Sequence, residues 1–292
     1  MTAARTILIT GCSSGIGHAC ALTLQAAGWR VFAGARTDAA LTMLDEQGLE
    51  TVRLDLDDTT SIDAAAESVL TATGGRLDAL FNNAGFGQPG AVEDLSRTTL
   101  REQFESNLFG PQELTNRLLP TMRQQGHGRI VYNSSVLGFA ALPYRGAYVA
   151  SKFAMEGLVD TLRMELRDSG VHVSLVEPGP IVSRFRANAH ARYQARIDPS
   201  RSAHRKSYRA MERRLTAPDS SGGFTLEADA VVRKVRHALE HDRPKPRYYV
   251  TLPTWLFGLL RRGLSTRAMD RVLLSSTASE RRLLPEDEDS TP

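Results

Sequence analysis

Short β-branched runs alternate with longer helical patterns along the first 180 residues of this 292-residue chain. A parallel sheet with crossover helices requires this switch between strand and helix periodicity. The sequence therefore predicts an α/β fold with a doubly wound sheet. The predicted strands are 6–10, 30–35, 51–55, 78–82, 129–135 and 171–178, with a seventh at PRYYVTLP (246–253), and the predicted helices are 15–28, 38–47, 59–72, 97–123 and 147–169.

The composition is that of a globular protein, with 41% hydrophobic and 24% charged residues. This balance excludes a disordered chain, a collagen-like fibre and a heptad rod. Two cysteines cannot form a disulfide framework, and no Cys/His cluster has metal-ligand spacing, so we expect no metal site and a reducing cytoplasm. Because there is no long apolar run and no secretion signal pattern, we expect neither export nor a membrane span.

An arginine-rich stretch follows the sixth predicted strand. Residues 184–214 contain ten basic and two acidic side chains. Nucleic-acid binding is one interpretation, and a solvated helical lid is the other. We favour the lid, because few stacking aromatics are interleaved with the charges, and we expect no nucleic-acid partner. The lid, about 185–224, is expected to bury little and to be mobile.

An amphipathic extension at 253–280 follows a domain that we place at 1–252. The apolar cluster of the extension is too short to cross a bilayer. The extension either packs on the body of the protein or lies on a membrane surface, and the helical spacing favours packing. The acidic residues 281–292 are expected to form a disordered tail.

A glycine-rich turn, TGCSSGIG, joins the first strand to the first helix. Gly11 allows unusual dihedral angles, Gly15 leaves room for a pyrophosphate, and Gly17 permits close packing of helix on strand. The N–H groups of the new helix then point at the phosphates. Turns are also glycine-rich for structural reasons alone, but the position between strand and helix favours dinucleotide binding.

The second strand ends in Ala33-Gly34-Ala35-Arg36. An acidic residue at this point would bind the 2′-hydroxyl of NAD, but the first carboxylate is that of Asp38. Arg36 suits a 2′-phosphate instead, because its planar guanidinium makes charge-assisted bonds. The alternative is that Arg36 is a surface charge, and we favour NADP(H).

Tyr148 and Lys152 are four residues apart on a predicted helix and therefore share a face. Such pairs occur by chance, but Lys152 is one of only four lysines among 36 basic residues. A cation beside the phenol favours the phenolate and lowers the tyrosine pKa, so Tyr148 becomes a candidate general acid and base.

Polar residues end two further strands, with Asn82 and Asn83 after one and Ser134 and Ser135 after the other. The carboxyl ends of parallel strands are where open α/β sheets bind ligands. Turn formation and capping explain each residue separately. Their joint placement favours one site.

TGCSSGIG at 10–17, NNAG at 82–85, the serine-containing strand end and YVASK at 148–152 resemble, in this order, the short-chain dehydrogenase/reductase family. The resemblance covers roughly residues 5–250. It implies a seven-stranded parallel Rossmann sheet and a nicotinamide-dependent oxidoreductase. It also implies Tyr148 as catalytic acid and base, Lys152 as the residue that holds the ribose and tunes the tyrosine, and Ser135, thirteen residues before Tyr148, as the catalytic serine. Asn107 matches the asparagine that helps to hold a water in the proton relay.

For the cofactor, the resemblance implies contacts from the glycine-rich turn, the ends of the strands and the PG motif. Ser183 stands where the family more often has threonine. The implied cofactor contacts are Gly11, Ser13, Ser14, Gly15, Ile16, Gly17, Arg36, Asp55, Leu56, Asn83, Ala84, Gly85, Tyr148, Lys152, Pro178, Gly179, Ile181 and Ser183.

Within the family, TGCSSGIG, EPGPI and the C-terminal extension resemble bacterial NADPH-dependent aldehyde reductases, which are related to the retinol and 17β-hydroxysteroid dehydrogenases. The implied function is reduction of a lipophilic aldehyde or ketone with NADPH. One alternative is oxidation of a retinol or hydroxysteroid, and another is a cofactor-sensing binding protein without catalysis. The family further implies a homo-dimer or homo-tetramer.

Overall fold

The structure is a computed structural model that describes residues 4–217 and 223–277. Its strands are β1 Thr6–Ile9, β2 Arg30–Ala35, β3 Glu50–Arg53, β4 Ala79–Asn82, β5 Gly128–Asn133, β6 Val171–Glu177 and β7 Arg247–Tyr249. They form one sheet in the order β3-β2-β1-β4-β5-β6-β7, with every pair parallel. The predicted doubly wound, seven-stranded parallel sheet is confirmed. The strand order reverses between β1 and β4, which is where such sheets bind ligands.

Helices cover both faces of this sheet. The α-helices in the described residues are α1 Gly15–Ala26, α2 Asp38–Glu46, α3 Thr59–Ala72, α4 Arg97–Phe104, α5 Gly110–Gln124, α6 Gly146–Glu165, α7 Phe185–Arg196, α8 Arg205–Thr216, α9 Ala228–Glu240, α10 Leu252–Gly263 and α11 Thr266–Ser276. Along β1, Ile7 and Ile9 pack with α1, α2 and α9, whereas Leu8 packs with α3, α5 and α6. Successive strand residues point to opposite faces, so a strand buried on both sides is apolar throughout.

The predicted helix 97–123 is α4 and α5 joined by a π-helical turn, Glu105–Phe109. Pro111 has no N–H to donate to the carbonyl of Asn107, four residues earlier, so the α-helical hydrogen bond is missing there. π-helical turns are frequent at functional sites. The turn buries Asn107 completely.

The prediction that 185–224 buries little is wrong for its described part. Tyr193 on α7 and Tyr208 on α8 are only 2% and 1% exposed and belong to a cluster under the lid. The Tyr208 hydroxyl accepts a hydrogen bond from the Ala91 backbone N–H at 2.8 Å and donates one to Asp94. The lid helices therefore have an apolar inner face beneath their charged outer face.

The C-terminal extension forms α10 and α11, which turn Phe257 and Met269 inward onto the segment at 136–142. This face of the extension packs on the body of the protein. Among the described helices, none has both the length and the apolar character needed to cross a membrane. The predicted tail 281–292 and residues 218–222 of the predicted lid lie outside the described residues.

Candidate active site

A cavity of about 260 Å³ opens beside the segments that follow β4, β5 and β6. Half of the predicted site residues line it, namely Ile16, Asn83, Gly85, Ser135, Tyr148, Lys152, Pro178, Gly179, Ile181 and Ser183. The remaining predicted residues lie outside its lining, namely Gly11, Ser13, Ser14, Gly15, Gly17, Arg36, Asp55, Leu56, Ala84 and Asn107.

The turn between β1 and α1 forms a phosphate cradle. Gly11 and Gly15 have φ angles of +72° and +59°, which favour glycine. A Cβ atom at Gly17 would lie 2.4 Å from the Gly11 carbonyl oxygen, so only glycine allows this approach of helix to strand. Ser14 caps α1 without a side-chain hydrogen bond, which leaves the first N–H groups of the helix directed at an incoming anion. These residues fit the pyrophosphate of a dinucleotide.

Two arginines lie where β2 ends, Arg36 on the chain itself and Arg53 on the neighbouring strand. Arg36 is exposed there, next to the buried Ala35. Arg53 lies opposite Ala35 in the sheet, donates from Nη1 to the Arg36 carbonyl at 3.1 Å, and forms an ion pair with Asp38. Sequence reasoning missed Arg53, because its position depends on the register of β3 against β2.

Hydrogen bonds tie the ends of β1, β4 and β5 together beside the cradle. The Thr10 hydroxyl accepts from the backbone N–H groups of Asn83 and Ala84, both at 2.9 Å. The Asn83 amide donates to the Thr10 carbonyl at 2.9 Å, and its oxygen accepts from Asn133 at 3.0 Å. Asn83 therefore holds the ends of β1, β4 and β5 together, where the strand order reverses, and it also lines the cavity.

The two serines after β5 have different partners. The Ser135 hydroxyl forms a hydrogen bond with the Tyr148 phenol and accepts from the Leu137 N–H at 3.1 Å. The Ser134 hydroxyl instead donates to the buried carboxylate of Glu156. The structure thus brings Ser135, rather than Ser134, to the tyrosine.

Lys152 lies one helical turn after Tyr148 on α6 and is 3% exposed. Its ammonium nitrogen donates to the Asn133 carbonyl at 2.7 Å and lies 5.8 Å from the centre of the Tyr148 ring. Burial lowers the pKa of Lys152 to about 8, and the negative charge of Glu156 opposes that shift.

The expectation of a lowered tyrosine pKa is wrong for this structure. Burial raises the pKa of Tyr148 to about 12, and its hydrogen bond with Ser135 offsets only part of that rise. Desolvation therefore disfavours the phenolate more than the neighbouring hydroxyl favours it. The phenol is protonated at neutral pH.

Asn107 is buried behind the cavity rather than in its lining. Its side chain accepts from the Phe86 N–H and donates to the Phe86 carbonyl, both at 3.0 Å, and donates to the Ser151 hydroxyl at 3.1 Å. The amide is thus occupied in holding the 85–86 segment to α6. The backbone carbonyl of Asn107 is left without an α-helical donor by Pro111.

The PG motif follows β6 and closes one side of the cavity. A Cβ atom at Gly179 would lie 2.1 Å from the Thr251 hydroxyl, which explains the glycine. The Ser183 hydroxyl contacts the Ile181 carbonyl at 3.4 Å and accepts from the Phe185 N–H at 3.3 Å. This segment therefore connects the end of β6 and the cavity wall to the start of the lid.

Sequence reasoning missed most of the cavity wall. The Phe185 ring stands edge-on to Tyr148, with centroids 5.4 Å apart. Tyr144, which has no lysine four residues later, lines the cavity with a φ angle of +61°. No local pattern marks these positions, because distant segments bring them together. The wall also includes Val136, Leu137, Leu142, Met211 and Leu215, with Arg145, Arg186 and Arg214.

A phosphate cradle and a tyrosine with a neighbouring lysine at the switch point of a doubly wound sheet define a nicotinamide-dependent oxidoreductase. Comparison with known proteins agrees, since residues 5–194 match the family model described as short chain dehydrogenase. The chain belongs to the short-chain dehydrogenase/reductase family, whose members act on CH–OH or C=O groups.

Some known relatives match nearly the whole chain, and others match about two thirds of it. An uncharacterized oxidoreductase, YbbO, of Escherichia coli is 45% identical over 269 residues, which are 92% of this chain and 94% of that protein. Human 17-beta-hydroxysteroid dehydrogenase type 1 is 40% identical over 62% of this chain and 58% of its own length. A short chain dehydrogenase/reductase from Burkholderia phymatum, solved in complex with NAD, has a TM-score of 0.75 at 28% identity, over 88% of this chain and 92% of that one.

Proposed function

We propose that this protein is an NADPH-dependent carbonyl reductase of lipophilic aldehydes or ketones. The observation that carries the proposal is the convergence of Ser135, Tyr148 and Lys152 on one cavity whose wall is largely aliphatic and aromatic. A cavity of this kind binds an apolar substrate and fixes its one polar group. Residues 1–252 form the catalytic domain in this account.

When bound, NADPH supplies the hydride that reduces the carbonyl carbon. Tyr148 donates its phenolic proton to the carbonyl oxygen. Its high pKa keeps that proton in place at neutral pH until transfer. Ser135, whose hydroxyl is hydrogen-bonded to the phenol, holds the substrate carbonyl oxygen beside Tyr148.

Lys152 then stabilises the phenolate that remains, because its ammonium group lies beside the ring. Asn107 acts as a residue of the proton relay. Its carbonyl, which receives no α-helical hydrogen bond from Pro111, accepts a hydrogen bond from the water that returns a proton towards Lys152.

Arg36 and Arg53 support a preference for NADP(H) over NAD(H). A 2′-phosphate would meet two guanidinium groups, whereas a free 2′-hydroxyl would find no carboxylate at Ala35. The related structure with NAD makes this preference a question for measurement. The other predicted contacts, from Gly11 to Gly17, at 55–56, at 83–85 and at 178–183, would hold the rest of the cofactor.

The main alternative is the same site working in the oxidative direction on a retinol or hydroxysteroid, which the similarity to a hydroxysteroid dehydrogenase favours. A cofactor-sensing protein without catalysis is less consistent with Ser135, Tyr148 and Lys152 brought together in one cavity.

The free, buried cysteines Cys12 and Cys20 fit a reducing compartment, and we place the protein in the cytoplasm. A homo-dimer or homo-tetramer is part of the proposal. Exposed apolar residues on or beside α6 support it, with Phe109, Leu158 and Met164 between 38% and 63% exposed.

An NADPH-consumption screen across aliphatic aldehydes, retinal, steroids and quinones tests the function. Turnover of apolar carbonyls above that of short hydrophilic aldehydes is expected. Faster NAD(P)⁺ reduction with the corresponding alcohols would favour the alternative. No turnover in either direction would overturn the enzymatic proposal.

A further inference from the structure

Four apolar side chains form an exposed stripe along α10. Leu252, Trp255, Leu256 and Leu259 follow the i, i+3, i+4, i+7 spacing of one helix face and are 64%, 58%, 48% and 69% exposed. A contiguous apolar surface of this kind usually marks a contact with a protein or a membrane. We call it the α10 stripe.

The opposite face of α10 is fixed to the protein. Phe257 and Gly258 are buried, and a Cβ atom at Gly258 would lie 2.7 Å from the Tyr249 ring. Arg261 donates to the Phe139 carbonyl at 2.7 Å and lies over the Phe153 ring. The α10 stripe therefore faces outward on a helix that cannot rotate to bury it.

The segment that carries the stripe is basic. Residues 252–277 contain four arginines and one acidic residue. Arg262 follows the stripe directly, and Arg267 and Arg271 are exposed on α11. Leucines and a tryptophan bordered by arginines have the composition of helices that lie in a membrane interface.

We infer that the α10 stripe is a docking surface for an anionic phospholipid membrane. The apolar side chains enter the boundary between headgroups and acyl chains, and the arginines contact the anionic headgroups. A second copy of the chain fits less well. A stable protein interface uses about 20 to 30 residues a side, and pairing α10 with its copy would bring the same basic patch twice to one interface.

The position of α10 also relates to the candidate active site. The inner face of α10 packs on Val136 and Leu142, which line the cavity. A docked protein would hold this cavity near a lipid phase in which apolar carbonyl compounds concentrate. The docking itself does not depend on the proposed function, and its test uses binding rather than turnover.

The two tryptophans allow a direct test with the full chain. Trp255 is exposed, whereas Trp29 is 4% exposed in the core. Vesicles of phosphatidylglycerol and phosphatidylcholine should sediment the protein, shift Trp255 emission to the blue and protect it from iodide. Pure phosphatidylcholine should bind at least about tenfold more weakly, and salt should weaken the anionic binding. Trp255→Phe should remove the spectral shift.

Leu259→Glu should weaken sedimentation by at least about tenfold. Val92→Glu is the matched control, because Val92 is an apolar residue that is 73% exposed and lies outside the C-terminal extension, and it should bind like wild type. Circular dichroism checks that both variants fold. Equal binding to neutral vesicles, no binding at all, or equal loss in both variants would overturn the inference. So would light scattering that shows Leu259→Glu dissociating an oligomer in which Trp255 is already shielded from iodide.

Discussion

Replacing Arg36 with alanine should remove most of the preference for NADPH. A charge-assisted hydrogen bond contributes about 1.5 to 3 kcal/mol, and about 1.4 kcal/mol corresponds to a tenfold change. Arg36 is exposed, so screening by water and salt favours the lower end of that range. We expect the ratio of kcat/KM for NADPH to that for NADH to fall about tenfold in Arg36→Ala.

The structure adds a second variant and a control. Arg53→Ala should lower the same ratio by less, because its guanidinium is already shared with Asp38 and the Arg36 carbonyl. Arg76→Ala removes an exposed arginine just before β4, at the amino end of a parallel strand and so at the opposite end of the strands from Arg36, and should leave the ratio unchanged. Ala35→Asp should reverse the preference, although Ala35 is 3% exposed and thermal melting must show that the variant folds.

Initial rates with both cofactors and one aldehyde, at low and high salt, measure these effects. Equal kcat/KM for the two cofactors in the wild type would refute the assignment of Arg36. An unchanged ratio in Arg36→Ala would refute it as well, because then the guanidinium contributes nothing to discrimination.

Three further changes test the electrostatics and packing. The activity of the wild type should fall as pH rises through about 8, because Lys152 loses its charge. Lys152→Arg should weaken NADPH binding and shift this pH dependence; a pH profile equal to that of the wild type would contradict the role of Lys152. Burial raises the pKa of Glu177 from 4.5 to about 8, so between those values the folded state binds more protons than the unfolded state, and Glu177 should lower the melting temperature progressively from pH 5 to pH 8. Glu177→Gln should flatten this fall, and a slope equal to wild type would show that another group causes it. Tyr208→Phe should cost about 1 to 3 kcal/mol of stability by removing hydrogen bonds to Ala91 and Asp94; unchanged urea denaturation would contradict it.

The sheet and the centre of the site were predictable because their signals are local. A strand buried on both faces is a run of mostly apolar residues, as β1 is, and this pattern can be recognised without knowing which distant segments pack on it. Gly11 needs a positive φ angle where the strand turns into α1. Tyr148 and Lys152 share a face of α6 by spacing alone.

What the sequence did not reveal depends on long-range packing. Arg53 reaches Arg36 only through the register of two strands. Phe185 meets Tyr148 because the lid folds back across the sheet edge. The count of charged residues over 184–214 did not predict the apolar inner face of the lid, which buries Tyr208. Such a count does not show which side of a helix each charge occupies.

The π-helical turn and the tyrosine pKa have a similar explanation. Pro111 indicates a missing hydrogen bond, but its consequence for Asn107 depends on how α4 and α5 continue past it. The helix spacing showed a cation near Tyr148, yet it could not show how deeply the phenol is buried. Desolvation depends on the whole fold, whereas the Tyr148 to Lys152 spacing depends on one helix.

Tyr148→Phe gives the most direct measurement of the central claim, that this phenol protonates a substrate carbonyl. With an aldehyde found in the screen, kcat should fall by about 10² to 10⁴-fold, while NADPH affinity from fluorescence titration stays close to that of wild type. Tyr144→Phe, which alters a cavity-lining tyrosine without a lysine beside it, should change KM rather than kcat. A Tyr148→Phe protein that keeps most of the wild-type kcat would contradict the account.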